Sequence, residues 1–241
     1  MVDIHCHILP EVDDGARSWE MASEMCRMAV ADGVDHIVAT PHANHEYEYN
    51  REELEKKLDR LRDIAGGKPL LTLGCDFHFS YENIQDALQQ PGRYSIGATR
   101  YLLVEFSDFS IAPTTGQHLV ALMEAGLMPI ITHPERNPIL RRQPQLLLDW
   151  VAKGALVQVT ANALTGRWGP GAKQTAQMLA KHGAVHVLAS DAHDPKGRPP
   201  ILSQGRDEMA KLVGKAAADA MVEAVPRAIV TNQPVPAIPG K

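Results

Sequence analysis

Seven short apolar runs rich in Val, Ile and Leu recur along the chain, each followed by a longer segment of helical spacing. Runs of this kind fit strands covered on both faces, and strands alternating with helices build a parallel α/β sheet or barrel. The runs are Val2 to His7, Asp35 to Thr40, Leu70 to Asp76, Tyr101 to Phe106, Met128 to Thr132, Ala155 to Thr160 and Val185 to Ser190. Helices are expected at Trp19 to Ala31, Arg51 to Ile64, Gln117 to Ala125, Pro144 to Lys153, Gly171 to His182 and Ser203 to Val213. Ser18 precedes the first helix as a cap, and Gly33, Gly126 and Gly183 stand where helices stop. Met21, Met25 and Met28 form a packing stripe. Tyr47 to Tyr49 and Ser107 to Thr115 read as loops, and Pro234 to Lys241 as an extended surface strap. With no repeat, low-complexity tract or linker, residues 1–241 read as a single domain.

Composition removes several classes of function. A net charge of −5 and a pI near 6.1 give no basic footprint for nucleic acid or an acidic membrane. No apolar stretch approaches the length of a membrane span, and the N-terminus carries a histidine-bearing strand in place of a basic then apolar leader. Cys6, Cys26 and Cys75 are odd in number and lack C-x-x-C spacing, which fits a reducing compartment, so a cytoplasmic location is expected. A cysteine phosphatase needs an arginine six positions after its thiolate; here those positions hold Val12, Asp32 and Tyr81.

Chemistry-bearing residues gather where the strands end. In Asp3-Ile4-His5-Cys6-His7 the two imidazoles point to one side of an extended strand and can share an ion. Later runs end in Thr40-Pro41-His42, Gly74-Cys75-Asp76, Val104-Glu105, Thr132-His133-Pro134-Glu135-Arg136 and Ser190-Asp191-Ala192-His193. All carboxyl ends of a parallel barrel open on one face, so these distant residues meet there. Five histidines (His5, His7, His42, His133, His193) and four carboxylates (Asp14, Asp76, Glu105, Asp191) hold such positions. Carboxylates forced together repel and take up protons unless cations neutralise them. Nine donors exceed the needs of one ion and suit two or three. Asp13 competes with its neighbour Asp14 as a donor. His45 and His78 lie near the mouth, Gln158 and Asn162 near the one strand end without a ligand, and His36, His118, His182 and His186 read as surface or packing residues.

These motifs, with Asp13-Asp14-Gly15-Ala16, make the sequence similar to the PHP (polymerase and histidinol phosphatase) superfamily. Within it, the chain resembles the bacterial metal-dependent tyrosine phosphatases that regulate capsule and exopolysaccharide synthesis. The resemblance covers nearly the whole chain. It implies a distorted TIM-like barrel of seven β/α units with a trinuclear site loaded with manganese, iron or zinc. By position it places one ion on His5, His7 and Asp191, a second on Glu105 and His133 with Asp76 bridging the two, and a third on Asp14, His42 and His193. The bridging position is usually glutamate in that family, whereas this chain supplies the shorter Asp76. The resemblance also gives Arg136 and Arg198 as phosphate binders, where a guanidinium fork matches two phosphate oxygens.

The chemistry implied is phosphomonoester hydrolysis by in-line attack of a metal-activated hydroxide, without a covalent intermediate. A phenolic leaving group needs little protonation, and either His42 or an ion-bound water can help. The resemblance further implies a phosphotyrosine-bearing partner, the tail of a polysaccharide-export tyrosine kinase. Two other functions fit the same fold: a small-molecule phosphoesterase such as a histidinol phosphatase, and a non-catalytic regulatory protein that keeps its metals for structure. Tyr47, Tyr49 and the Ser107 to Thr115 loop are expected to frame the mouth that separates an open site from a closed one.

Overall fold

In a computed structural model, which describes residues 1–240, the seven runs form seven parallel strand positions arranged as a distorted barrel. The strands are β1 (Val2–Cys6), β2 (His36–Ala39), β3 (His42–Ala43), β4 (Leu70–Leu73), β5 (Asp76–His78), β6 (Tyr101–Glu105), β7 (Met128–Thr132), β8 (Leu156–Thr160) and β9 (Val187–Ala189). Two strands run on past a break: β2 resumes as β3 after Thr40-Pro41, beyond the expected end at Thr40, and the expected strand Leu70 to Asp76 is split at Gly74-Cys75, with β5 continuing to His78. Pro41 has no N–H for the ladder. A Cβ on Gly74 would lie 2.8 Å from Val38 Cγ1, so a larger residue does not fit that bend.

The splits divide the barrel into a three-stranded sheet, β1-β2-β4, and a six-stranded one, β3-β5-β6-β7-β8-β9. Single hydrogen bonds carry the ring across the breaks. Gly74 N–H donates to Ala39 O at 2.7 Å and Asp76 N–H to Pro41 O at 3.1 Å. Past the end of β9, His7 N–H donates to Ala192 O and Asp191 N–H to His5 O, both at 2.8 Å, and return the ring to β1. Below the breaks, among the described residues, the backbone hydrogen bond from Gly97 N–H to Leu73 O is the one that joins β4 to the segment before β6, and closure is incomplete there.

The helices are α1 (Trp19–Ala31), α2 (Arg51–Ile64), α3 (Tyr81–Gln89), α4 (Thr115–Glu124), α5 (Pro138–Arg142), α6 (Pro144–Ala152), α7 (Ala161–Leu164), α8 (Gly169–Lys181), α9 (Ser203–Val213), α10 (Lys215–Val222) and α11 (Ala224–Val230). Ser18, Asn50, Ser80 and Asn137 each accept a backbone N–H at a helix start. Five helices were not expected. α5 and α7 are too short to show periodicity, and α3 is mostly polar and buries only Ile84 and Ala87. α10 and α11 follow directly on α9, where Gly214 at φ 87° breaks the backbone without a loop.

Inward side chains of the strands and the facing helix stripes form one apolar cluster. At the end of the ring opposite the candidate site, the Met1 amine donates to Gly33 O at 2.7 Å, and Tyr101 Oη donates to Gln233 O at 2.6 Å. The proline-rich tail has no regular element but is anchored by buried Ile238; its last residue, Lys241, lies outside the described residues. No helix among the described residues is long and apolar enough to cross a membrane.

Candidate metal centre

The sequence pattern places every donor but Asp14, which lies in the turn after β1, at or near the carboxyl end of a strand, and the fold brings them together. His5 Nε2 lies 3.2 Å from His7 Nε2 and 3.4 Å from both Asp76 Oδ2 and Asp191 Oδ1. On the other side of Asp76, His42 Nδ1 is 3.4 Å from Oδ2, and His133 Nε2 is 3.9 Å from it. Glu105 joins this side, with Oε1 3.7 Å from His133 Nε2 and Oε2 3.7 Å from His42 Nδ1. At the outer edge Asp14 Oδ1 lies 3.2 Å from His193 Nε2 and 3.5 Å from His42 Nε2. The structure thus brings all nine expected side chains together. Three overlapping groups have donor atoms within 4.8 Å of one another: His7, Asp14, His42 and His193; His5, His7 and Asp76; and His42, Asp76 and Glu105.

Two buried atoms in this cluster, His42 Nδ1 and Asp76 Oδ2, have no hydrogen-bond partner among the described residues. Buried polar atoms are nearly always partnered, so a pair of orphans facing one another at 3.4 Å points to a bound cation. The shorter side chain of Asp76 still reaches the centre of the site.

Neighbouring side chains orient the donors. His7 Nδ1 pairs with Asp13 Oδ2 at 2.7 Å and His5 Nδ1 with Gln158 Oε1 at 3.0 Å, which turns both Nε2 atoms inward. The open choice between Asp13 and Asp14 is thereby separated by geometry: Asp13 also accepts the N–H groups of Gly15 and His42 and faces away, while Asp14 faces the cluster. His133 and Asp191 have positive φ, 32° and 50°, uncommon for residues with a Cβ and typical of side chains held at a functional site. Glu135 accepts Thr160 N–H at 2.9 Å, pinning the His-Pro-Glu-Arg turn to β8.

Electrostatics follow the crowding. Burial would lower the imidazolium pKa of His5, but Asp76 and Asp191 raise it to about 9. Burial is likewise outweighed at His42, which Asp14, Asp76 and Glu105 raise to about 10. His7 goes the other way, to about 4, through burial and the charge of His193. Burial opposes ionisation of Asp76 as well, yet His5, His133 and His42 hold it well below the usual carboxylate range.

Arg136 and Arg198 stand beside the cluster, and both Nη2 atoms donate to Asp191 Oδ2, that of Arg198 at 2.6 Å. The Nε of each is buried without an acceptor, leaving two donors for an anion. The cavity above them is about 620 Å³ and extends to His45, His78, Asp108, Phe109 and Trp168. Tyr47 stacks on His42, with centroids 5.9 Å apart, but Tyr49 is not a rim residue: it is buried against Tyr94, and its hydroxyl donates to Gly74 O. Gln158 fills the sector without a ligand, whereas Asn162 starts no contact with the donors and accepts Arg167 N–H through its carbonyl. His36, His182 and His186 bond to Thr72, Met178 and Val157 away from the site. Trp168 carries no signal in the sequence, since a tryptophan after Gly166-Arg167 shows neither periodicity nor ligand spacing.

A parallel barrel with imidazoles and carboxylates converging on its carboxyl-terminal mouth is the build of the metal-site α/β-barrel proteins. Residues 1–231 match the model of the family described as capsular polysaccharide synthesis, CpsB/CapC, and the chain belongs to that family. It is 37% identical over 201 residues to the tyrosine-protein phosphatase YwqE of Bacillus subtilis (strain 168), covering 82% of this chain and 79% of the relative. The tyrosine-protein phosphatase CpsB of Streptococcus pneumoniae is 26% identical over 242 residues, 97% of this chain and 99% of that one. Among solved structures, a chain from the work on YwqE of Bacillus subtilis and CpsB of Streptococcus pneumoniae, described as unique metal-dependent tyrosine phosphatases, superposes with a TM-score of 0.92 at 32% identity. That match covers 100% of this chain and 98% of the other.

Proposed function

We propose that residues 1–241 act as one catalytic domain, a metal-dependent protein-tyrosine phosphatase. The observation that carries this reading is the convergence of nine imidazole and carboxylate side chains around the orphaned His42 Nδ1 and Asp76 Oδ2, directly beside two arginines with unpartnered Nε donors. The family membership supplies the substrate class, since its curated relatives bear the name tyrosine-protein phosphatase.

His5, His7 and Asp191 would hold one ion, Glu105 and His133 a second with Asp76 between them, and Asp14, His42 and His193 a third. Imidazole and carboxylate donors suit manganese, iron and zinc alike, and manganese is the ion we propose, with iron and zinc as alternatives. When bound, such ions lower the pKa of water toward neutrality and neutralise phosphoryl oxygens. The residues of the chain do the rest. Arg136 and Arg198, anchored by one nitrogen each to Asp191, present their remaining N–H groups to the transferring phosphoryl group, whose charge spreads over its oxygens in the transition state. Asp13 and Gln158 keep His7 and His5 in the tautomers that turn Nε2 inward. A departing phenolate needs little protonation, because a phenol has a pKa of about 10, so His42, half-buried at the mouth, is free to serve as a donor to the third ion.

The partner we propose is the phosphotyrosine-bearing tail of a polysaccharide-export tyrosine kinase, met in the cytoplasm. The three cysteines support this location, since all are buried and unpaired. The test compares kcat/KM of the manganese-loaded protein on a phosphotyrosine peptide and on histidinol phosphate. Preference for the peptide supports the proposal. Preference for histidinol phosphate would keep the site and overturn the substrate, and inactivity on both would leave a non-catalytic metal protein.

A further inference from the structure

The two arginines share a single anchoring atom. Both Nη2 groups end on Asp191 Oδ2, and a guanidinium held at one point can still rotate about it. Something else must fix the planes of the two forks if both are to meet one phosphate. The turn before α8 supplies it. Trp168 lies with its ring centroid 4.3 Å from Arg136 Cζ and 5.1 Å from Arg198 Cζ, so one indole contacts both cations. Its neighbour Arg167 donates Nη1 to Gly197 O at 2.7 Å and to Lys196 O at 3.3 Å, tying the same turn to the backbone immediately before Arg198.

The turn is built to hold that position. Gly166 and Gly169 flank it with φ of 90° and 82°, values that a side chain would strain. Gly166 N–H donates to Ala163 O, and Gly169 N–H to Gly166 O, both at 3.0 Å. On the facing loop, Asp194 accepts the N–H groups of Lys196, Gly197 and Arg198, so the backbone that Arg167 grips is itself fixed.

Resting on the phosphate-binding reading of this mouth, we propose that the Gly166–Gly169 turn is a clamp for the two arginines, with Trp168 as the positioning residue that aims both guanidinium forks at one phosphoryl group. The π face attracts both cations and limits their rotation, and Arg167 holds the Arg198 loop against it. Trp168 thereby acts through the arginines and needs no contact with the reacting atoms.

The test uses the full-length, manganese-loaded protein and inorganic phosphate as the probe, titrated calorimetrically, beside kcat and KM on a phosphotyrosine peptide. Trp168→Leu keeps an apolar side chain but removes the ring, and its phosphate Kd and peptide KM are expected to rise about ten-fold, the scale of two partly buried cation–π contacts. Trp168→Phe has nearly the same bulk as the leucine variant and retains a π face, so it is expected to recover phosphate affinity to within about three-fold of wild type. Arg167→Ala should weaken phosphate binding with the ring intact. Ion content by mass spectrometry should match wild type in all three. Wild-type phosphate affinity in Trp168→Leu would overturn the clamp, as would a Trp168→Phe protein as impaired as the leucine variant, or loss of bound ions alongside phosphate. Failure of the phosphatase reading looks different: a wild-type protein that binds phosphate without turning over the peptide still lets the phosphate titrations decide the clamp. A wild-type protein that binds no phosphate overturns both.

Discussion

Asp191 is the carboxylate on which the site's charge balance turns, and replacing it with asparagine has a calculable consequence. It is 1% exposed and accepts from Arg136 and Arg198 on one oxygen, while the other lies 3.4 to 3.7 Å from His5, His7 and His193. Burial alone would push its carboxyl pKa up, but Arg136, His5 and Arg198 outweigh that and hold it well below the usual 3.8. It is therefore ionised at neutral pH. Its contribution to stability is complete above the unfolded value and is lost as pH falls through the lower folded one. Removing one partner from a buried ion pair costs about 3–5 kcal/mol, because the remaining charge stays buried and unpaired. Asparagine retains the shape and one acceptor, so the lower end, about 3 kcal/mol, applies to Asp191→Asn. For a chain of this size that corresponds to a fall in Tm of about 6–12 °C. The assay is thermal and urea unfolding of the full chain with chelator present, so that ion binding adds nothing to either protein. Arg136→Ala is the comparison, since it leaves Asp191 with Arg198 and should cost less. A Tm for Asp191→Asn equal to or above that of wild type would refute the reasoning, by showing that the two guanidinium groups do not depend on this carboxylate.

Three further outcomes are expected. His133→Ala removes the imidazole that faces both Asp76 and Glu105, and should abolish turnover and lower the ion count; near wild-type kcat would sink that assignment. Because His5 and His42 are raised to about 9 and about 10, both carry protons at neutral pH and must lose them to bind an ion. Ion binding at pH 7.5 should release protons, visible calorimetrically in buffers of different ionisation enthalpy, and affinity should rise with pH through that range; a pH-independent affinity would contradict it. Gly74→Ala sets a methyl 2.8 Å from Val38 Cγ1 at the break between β4 and β5, and should cost about 1–3 kcal/mol in urea unfolding, whereas an unchanged midpoint would show that the bend tolerates a side chain.

The strand positions were legible because a parallel barrel buries both faces of each strand, and runs such as Tyr101 to Phe106 have few other readings. The donors were legible for a related reason, since all but Asp14, which lies in the turn after β1, stand in or just past the carboxyl-terminal part of a run. What the sequence hid depends on side-chain direction. Adjacent Asp13 and Asp14 differ only in how one turn aims them: the first orients His7, and the second faces His42 and His193. Tyr47 and Tyr49 look equivalent two positions apart, yet one stacks on His42 at the mouth and the other is buried beneath Gly74. The clamp of Trp168 on two arginines far from it in the chain, one before and one after, has no local signature at all. The break at Thr40-Pro41 carried its own signal in the proline, but that at Gly74-Cys75 depends on how closely Val38 approaches from the next strand.

The central claim is that the nine converging side chains hold catalytic ions. Its most direct measurement is titration of the chelated, full-length protein with manganese, following bound ions per chain and the rate of phosphate release from a phosphotyrosine peptide in the same samples. Two or three ions per chain, with activity appearing only as they bind, is the predicted result. Full activity in the chelated protein, or saturation with ions without any phosphate release, would contradict the account.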